Sequence, residues 1–165
     1  MADIDVEQLL SQFTIPLLEV VSTLECSGRF RMFFPNFFTF IQVDDNFTHV
    51  ATEILASCGF EEGPLMSRPN TPRTHISVLN SFEQRRVPEE TAYQVERKWR
   101  NREVPFRIET VEIWRHIKKE TGEQKLLCCF KVKSAMIEAI REDLGKEPTS
   151  IHYNMHMSVS EKYLE

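Results

Sequence analysis

The chain lacks the marks of several common protein classes. Its four cysteines, Cys26, Cys58, Cys128 and Cys129, show none of the paired spacings of zinc sites. A chain of 165 residues buries a core without metals or disulfides, so none is expected and no cofactor is implied. No apolar run approaches the roughly 20 residues needed to span a bilayer. No charged start leads into an apolar core with a small-residue cleavage site. A net positive charge is lacking too: 20 Lys and Arg stand against 25 Asp and Glu, for a net charge of -5. That argues against a surface that coats extended duplex nucleic acid, and leaves room for a local basic pocket around one phosphate. The expectation is a monomer with reduced thiols, cytoplasmic or nuclear by diffusion and away from membranes.

What is present is a regular alternation of elements. Val6, Leu9, Leu10 and Phe13, then Leu17, Val20, Val21 and Leu24, recur at helical spacing and predict an amphipathic helix, kinked or restarted at Pro16. Its polar face is acidic, so it is expected to pack on the domain rather than lie on a membrane. The aromatic and β-branched stretch 37–43 reads as a strand. A helix follows with Phe47, Val50, Ala51, Ile54, Leu55 and Cys58 on one face, ending at Gly59. A proline-rich loop leads to a strand over 74–80. Pro88 starts another helix, with Glu89 and Glu90 at its positive end and Arg97, Lys98 and Arg100 at its negative end.

Strands resume over 106–117, where Phe106, Ile108 and Thr110 give way to the alternation Val111, Ile113. The turn "ETGEQ" returns the chain through 126–132, in which Cys128 and Cys129 are buried positions. Ser134 caps a helix that Gly145 ends, and 150–160 reads as the last strand. The order thus repeats strand, helix, strand, in halves of 37–82 and about 104–160.

Each half closes on a His-x-Ser triplet, "RTHISVL" at 73–79 and "NMHMSVS" at 154–160. Five histidines among 22 serines and threonines give about 0.7 such triplets by chance, so the spacing alone decides nothing. Context decides: both triplets lie on expected strands, both are followed by Val, and each ends an equivalent half. Alternation sends His75, Ser77 and Arg73 to one face of the first strand. In the last strand His152, Asn154, His156, Ser158 and Ser160 share a face. Facing each other, two imidazole–hydroxyl pairs suit a phosphodiester. One His takes a proton from the attacking oxygen while the other gives one to the leaving oxygen. Ser77 and Ser158 donate to non-bridging oxygens, and Arg73 adds charge to that grip. No metal is required.

The pair "THISVL" and "MHMSVS" resembles the signature of the 2H phosphoesterases, two His-x-Thr/Ser motifs each followed by a hydrophobic residue. The resemblance implies an α+β, bilobal, LigT-like fold. Two pseudo-symmetric strand-helix-strand halves with mainly antiparallel sheets would surround a central cleft. The domain would cover 37–165, with 1–36 as a helical extension packed on it. The resemblance also implies metal-free hydrolysis of 2'-phosphoesters, with His75 and His156 catalytic and Ser77 and Ser158 binding phosphate. Among substrates, 2',5'-linked oligoadenylates or cyclic dinucleotides are preferred, because a small acidic domain suits a soluble signalling nucleotide. A 2',3'-cyclic nucleotide phosphodiesterase or RNA-end processing enzyme is one alternative, and a non-catalytic nucleotide- or RNA-binding module is another. Which histidine is the base stays open.

Arg68, in the loop before the first motif, and His152 and Asn154, before the second, are further candidates for substrate contact. His49 and His116 are expected at the surface. The basic run 96–102 reads as a solvated face and Trp99 as core. Phe82, Tyr93, Phe106 and Trp114 are unranked candidates for stacking a base.

Overall fold

The structure, a computed structural model, describes residues 4–63 and 74–164. It is a mixed α+β fold built on one curled antiparallel sheet. In chain order the elements are α1 (Val6–Val21), β1 (Ser27–Phe33), β2 (Phe38–Val43), α2 (Asn46–Leu55), β3 (Glu61–Glu62) and β4 (His75–Ser77). Then follow α3 (Ser81–Gln84), α4 (Glu89–Trp99), β5 (Glu103–Pro105), β6 (Arg107–Ile117), β7 (Gln124–Lys133), α5 (Ala135–Asp143) and β8 (His156–Leu164). Among the described residues no helix is long and apolar enough to cross a membrane.

Several expected elements form for the expected reasons. The Asp5 carboxylate caps α1 by accepting from the Gln8 N–H (3.2 Å), and Phe13, Leu17 and Val21 bury its apolar stripe. The helix runs through Pro16 without restarting. Gly59 (φ 84°) and Gly145 (φ 75°) close the turns after α2 and α5 in the left-handed region that glycine occupies without strain. Pro88 caps α4 one position before its first helical residue.

Strand β1 was not anticipated. Its signal is a period-two pattern, with Gly28, Phe30 and Met32 buried and Arg29 and Arg31 exposed. At Gly28 an added Cβ would lie 2.4 Å from the Gln42 carbonyl oxygen, so no larger residue fits there. The expected domain start at residue 37 therefore falls inside the β1–β2 hairpin, and the sheet begins at Ser27.

The strand order is β5-β1-β2-β4-β8-β7-β6, with β3 adding to β8. Outward from the central β4–β8 pair, β2 and β1 lie on one side and β7 and β6 on the other. One row of apolar residues crosses six strands: Phe30, Ile41, Ile76, Met157, Phe130 and Val111 are successive register partners. All six are buried in the core that α1, α2, α4 and α5 help to line. A one-residue slip would turn this row away from the core, at roughly 1.5–3 kcal/mol per side chain, so the register is strongly specified.

Two features depart from the sequence reading of the last strand. β8 begins only at His156, because residues 150–155 form a turn with an isolated Ser150–Tyr153 bridge, and Ile151 is 96% exposed. A bulge opposite Cys128 and Cys129 then reverses the alternation. Ser160 consequently points to the helical side, where its hydroxyl donates to the Glu61 carbonyl (2.8 Å) and accepts from Thr52 (3.1 Å). It does not share the face of His156.

The end of β4 is anchored by a buried cation. The Arg141 guanidinium on α5 is fully buried and donates to both Glu83 oxygens (2.8 and 2.9 Å) and to the Val78 carbonyl (2.7 Å). It lies 3.7 Å from the Tyr153 ring centre. Burial pushes the Glu83 carboxyl up, but the hydrogen bonds from Arg141 and from the Asn80 N–H outweigh it and hold the group below its usual range. Removing one partner of such a pair leaves a buried charge without its counter-charge. Glu83→Ala is therefore expected to cost about 3–5 kcal/mol in urea unfolding. Glu83→Gln should cost less, because its amide oxygen still accepts from the guanidinium. A Glu83→Ala loss below about 1 kcal/mol would show that the pair behaves like an exposed one.

Candidate active site

Because Ile76 pairs with Met157, antiparallel geometry sets His75 opposite Ser158 and Ser77 opposite His156. Ile76 and Met157 point into the core, so these four side chains stand together on the other face. Each imidazole lies beside the serine of its own strand and across from the serine of the other. The histidines are diagonal neighbours, at positions whose Cα atoms lie about 7–8 Å apart in an antiparallel pair. Register extends the face in two rows. Gln42, His75, Ser158, Cys129 and Glu112 form one, and Phe40, Ser77, His156, Lys131 and Thr110 the other.

His156 is the better defined imidazole. Its Nδ1 lies 2.7 Å from the Asn154 carbonyl oxygen, an acceptor only, so Nδ1 carries the proton and Nε2 is left with its lone pair in the neutral ring. The Trp114 ring packs against it, with centres 4.5 Å apart. Burial pulls the His156 pKa below its ordinary value, and the carbonyl hydrogen bond and the Glu112 charge only partly offset this. The ring is therefore mainly neutral at pH 7. Glu112 also accepts from the Trp114 indole N–H (2.8 Å) and the Asn154 side-chain amide (3.4 Å). It thus ties together the ring that packs on His156 and the residue whose carbonyl orients it.

His75 is half-buried, with the rings of Phe38 and Phe40 edge-on to it at 5.7 and 5.8 Å. Ser158 Oγ lies 3.5 Å from Cys129 Sγ. Burial chiefly, with the Glu112 charge, pushes the Cys129 thiol up to about 12 against the Ser158 hydrogen bond, so it stays protonated. The Tyr153 hydroxyl donates to the Ser77 carbonyl (2.7 Å), and burial raises that phenol so that it remains a donor. The Asn80 amide donates to the His152 carbonyl (3.1 Å) while its oxygen caps α3. Two hydrogen bonds therefore link the segment holding the first motif to the turn before the second.

A cleft of about 870 Å³ opens on this face. Ser77, His156, Trp114 and Phe38 line it, as do His152 and Asn154. His152 and Asn154 reach the cleft from the 150–155 turn, not from a shared strand face. His75 and Ser158 stand one row further along the strands and are not part of its lining. Arg68 and Arg73 lie outside the described residues. Among the described residues no group of three or more His, Cys, Asp or Glu side chains converges to hold a metal ion.

Other candidates separate clearly. Trp99 is buried and donates to Asp143 (2.8 Å), and in the basic run Arg100 pairs with Glu96 and Lys98 with Asp143. His49 is exposed beside Glu62, and His116 is exposed. Phe106 is buried and has no face for a base, whereas Trp114 lies in the cleft. Glu112 was missed, although the Val111, Ile113 alternation already sent it to the opposite face with Trp114.

No protein-family model, curated protein or solved structure matches the chain. The site rests on its geometry, which makes one electrostatic claim testable. Replacing Glu112 by Gln removes a negative charge that favours the protonated imidazole, so the NMR titration midpoint of His156 is expected to fall. An unchanged or higher midpoint would remove Glu112 from this account.

Proposed function

We propose that the chain is a phosphodiesterase of the 2H type, hydrolysing 2'-linked ribonucleotide phosphoesters by acid–base catalysis between two histidines. The observation that carries this reading is the Ile76–Met157 pairing, which sets His75/Ser77 and His156/Ser158 diagonally on one face. The sheet supports it further. Apart from the two-residue β3 inserted before β4, β1-β2-α2-β4 and β6-β7-α5-β8 follow the same hairpin, helix, strand order and meet at the two motif strands, as the LigT-like bilobal fold implies.

In this mechanism His156 is the base. Its Nε2 takes the proton of a water or ribose hydroxyl as that oxygen bonds to phosphorus, and burial keeps the ring neutral for the task. Protonated His75 delivers its proton to the ribose oxygen as the opposite P–O bond breaks. The Ser77 and Ser158 hydroxyls donate to the non-bridging oxygens, where charge builds up. Aromatic Phe38 and Trp114 offer the cleft apolar walls suited to a base. The preferred substrates are 2',5'-linked oligoadenylates or cyclic dinucleotides.

The test is turnover, with chelator present, of 2',5'-oligoadenylates, mixed-linkage cyclic dinucleotides, 2',3'-cyclic nucleotides and 3',5'-linked controls. The 2'-linked compounds are expected to be cleaved. His75→Ala and His156→Ala should each lower kcat by about 10²- to 10⁴-fold with unchanged melting. Full activity in either variant would refute the mechanism, and no turnover of any compound would favour a binding module.

A further inference from the structure

Three rings beside the cleft have no part in the chemistry above. Phe37 lines the cleft and meets Phe34 and Tyr93 edge-on, at 5.6 and 6.1 Å between centres. Phe34 and Tyr93 are stacked on each other at 5.1 Å and 11°, yet remain 42% and 44% exposed. Aromatic surface is thus continuous from the cleft wall to solvent. Phe37 adopts φ 60°, a left-handed conformation that is costly for a bulky side chain and concentrates at ligand-binding segments.

We propose that the Phe34–Tyr93 pair is a second nucleobase platform, so that the substrate is an oligonucleotide long enough to reach it from the catalytic cleft. The inference rests on the phosphodiesterase reading of that cleft and names the substrate class within it. Size favours a base over a protein. A large aromatic side chain presents about 150–250 Å², so the exposed parts of the two rings sum to roughly 200 Å². That is far below the ~1,000 Å² of a protein interface and suits a small flat ring system. Charge settles the mode of contact. Around Tyr93 the carboxylates Glu89, Glu90 and Glu96 outnumber Arg97 and Arg100, which disfavours a phosphate there. The platform therefore holds a base by stacking and not by ion pairing.

The experiment measures affinity by calorimetry and turnover across 2',5'-oligoadenylates from dimer to pentamer, for wild type, Phe34→Ala, Tyr93→Ala and Tyr93→Phe. Affinity should rise in one step once the chain reaches the platform, by about 5- to 160-fold, the range for one base–aromatic stack. Raising salt from 50 to 200 mM should leave the step unchanged, since no counterions are released from it. In Phe34→Ala and Tyr93→Ala the longer oligomers should bind no tighter than the dimer, with unchanged melting temperatures, while Tyr93→Phe keeps the step. No step in wild type, or a step that survives both alanine variants, overturns the platform. Dimer turnover in that case leaves the proposed activity standing, and so does turnover of a cyclic dinucleotide when no linear oligomer binds, a result that overturns the platform alone.

Discussion

The contact between Ile76 and Met157 is the constraint on which the candidate site depends. β4 is three residues long, so apart from Ile76 it consists of His75 and Ser77. Ile76 and Met157 are both fully buried in a row that continues through Phe30, Ile41, Phe130 and Val111. Hydrophobic burial of that row holds the register, and the register places two imidazoles and two hydroxyls in one square. The candidate site is a by-product of core packing: its four side chains are those that the core leaves on the other face.

Around the square, groups that need not touch a substrate limit its freedom. Arg141 and Glu83 fix the chain just beyond β4, and Tyr153 holds the Ser77 carbonyl. Asn80 reaches the His152 carbonyl, while Asn154 orients His156. Buried at Arg141 and exposed at His152 and Asn154, this network of hydrogen bonds holds the two motif segments in a fixed relation. His156 sits between opposing influences. Burial favours its neutral form and Glu112 its charged one, with burial the larger. A proton acceptor is the form that results at neutral pH.

Much of the fold was legible because its signals are local. Ser134 and Gly145 mark the ends of α5 through backbone hydrogen bonding that depends on near neighbours. The switch from Ile108, Thr110 to Val111, Ile113 corresponds to the irregularity in pairing between β6 and β7. β1 was missed because its signal is spread over Gly28, Phe30 and Met32, and Gly28 reads as a breaker until the approach of Gln42 explains it. Ser160 was assigned the wrong face because a bulge is a property of two strands and leaves no sign in one. His152 and Asn154 were placed near the cleft through an extended strand, yet a turn brings them there.

By itself the sequence determined the two His-x-Ser motifs, most of the helices and strands, and the side of each motif strand that is polar. All of these follow from periodicity and capping, which act over a few residues. Tertiary structure alone decided that β4 and β8 are neighbours and that their registers coincide. It also decided that Glu112, Trp114 and Tyr153 surround the histidines. These relations join residues some 40 to 80 positions apart, and the burial of one apolar row across six strands, which no local pattern encodes, selects among the many pairings that local signals allow.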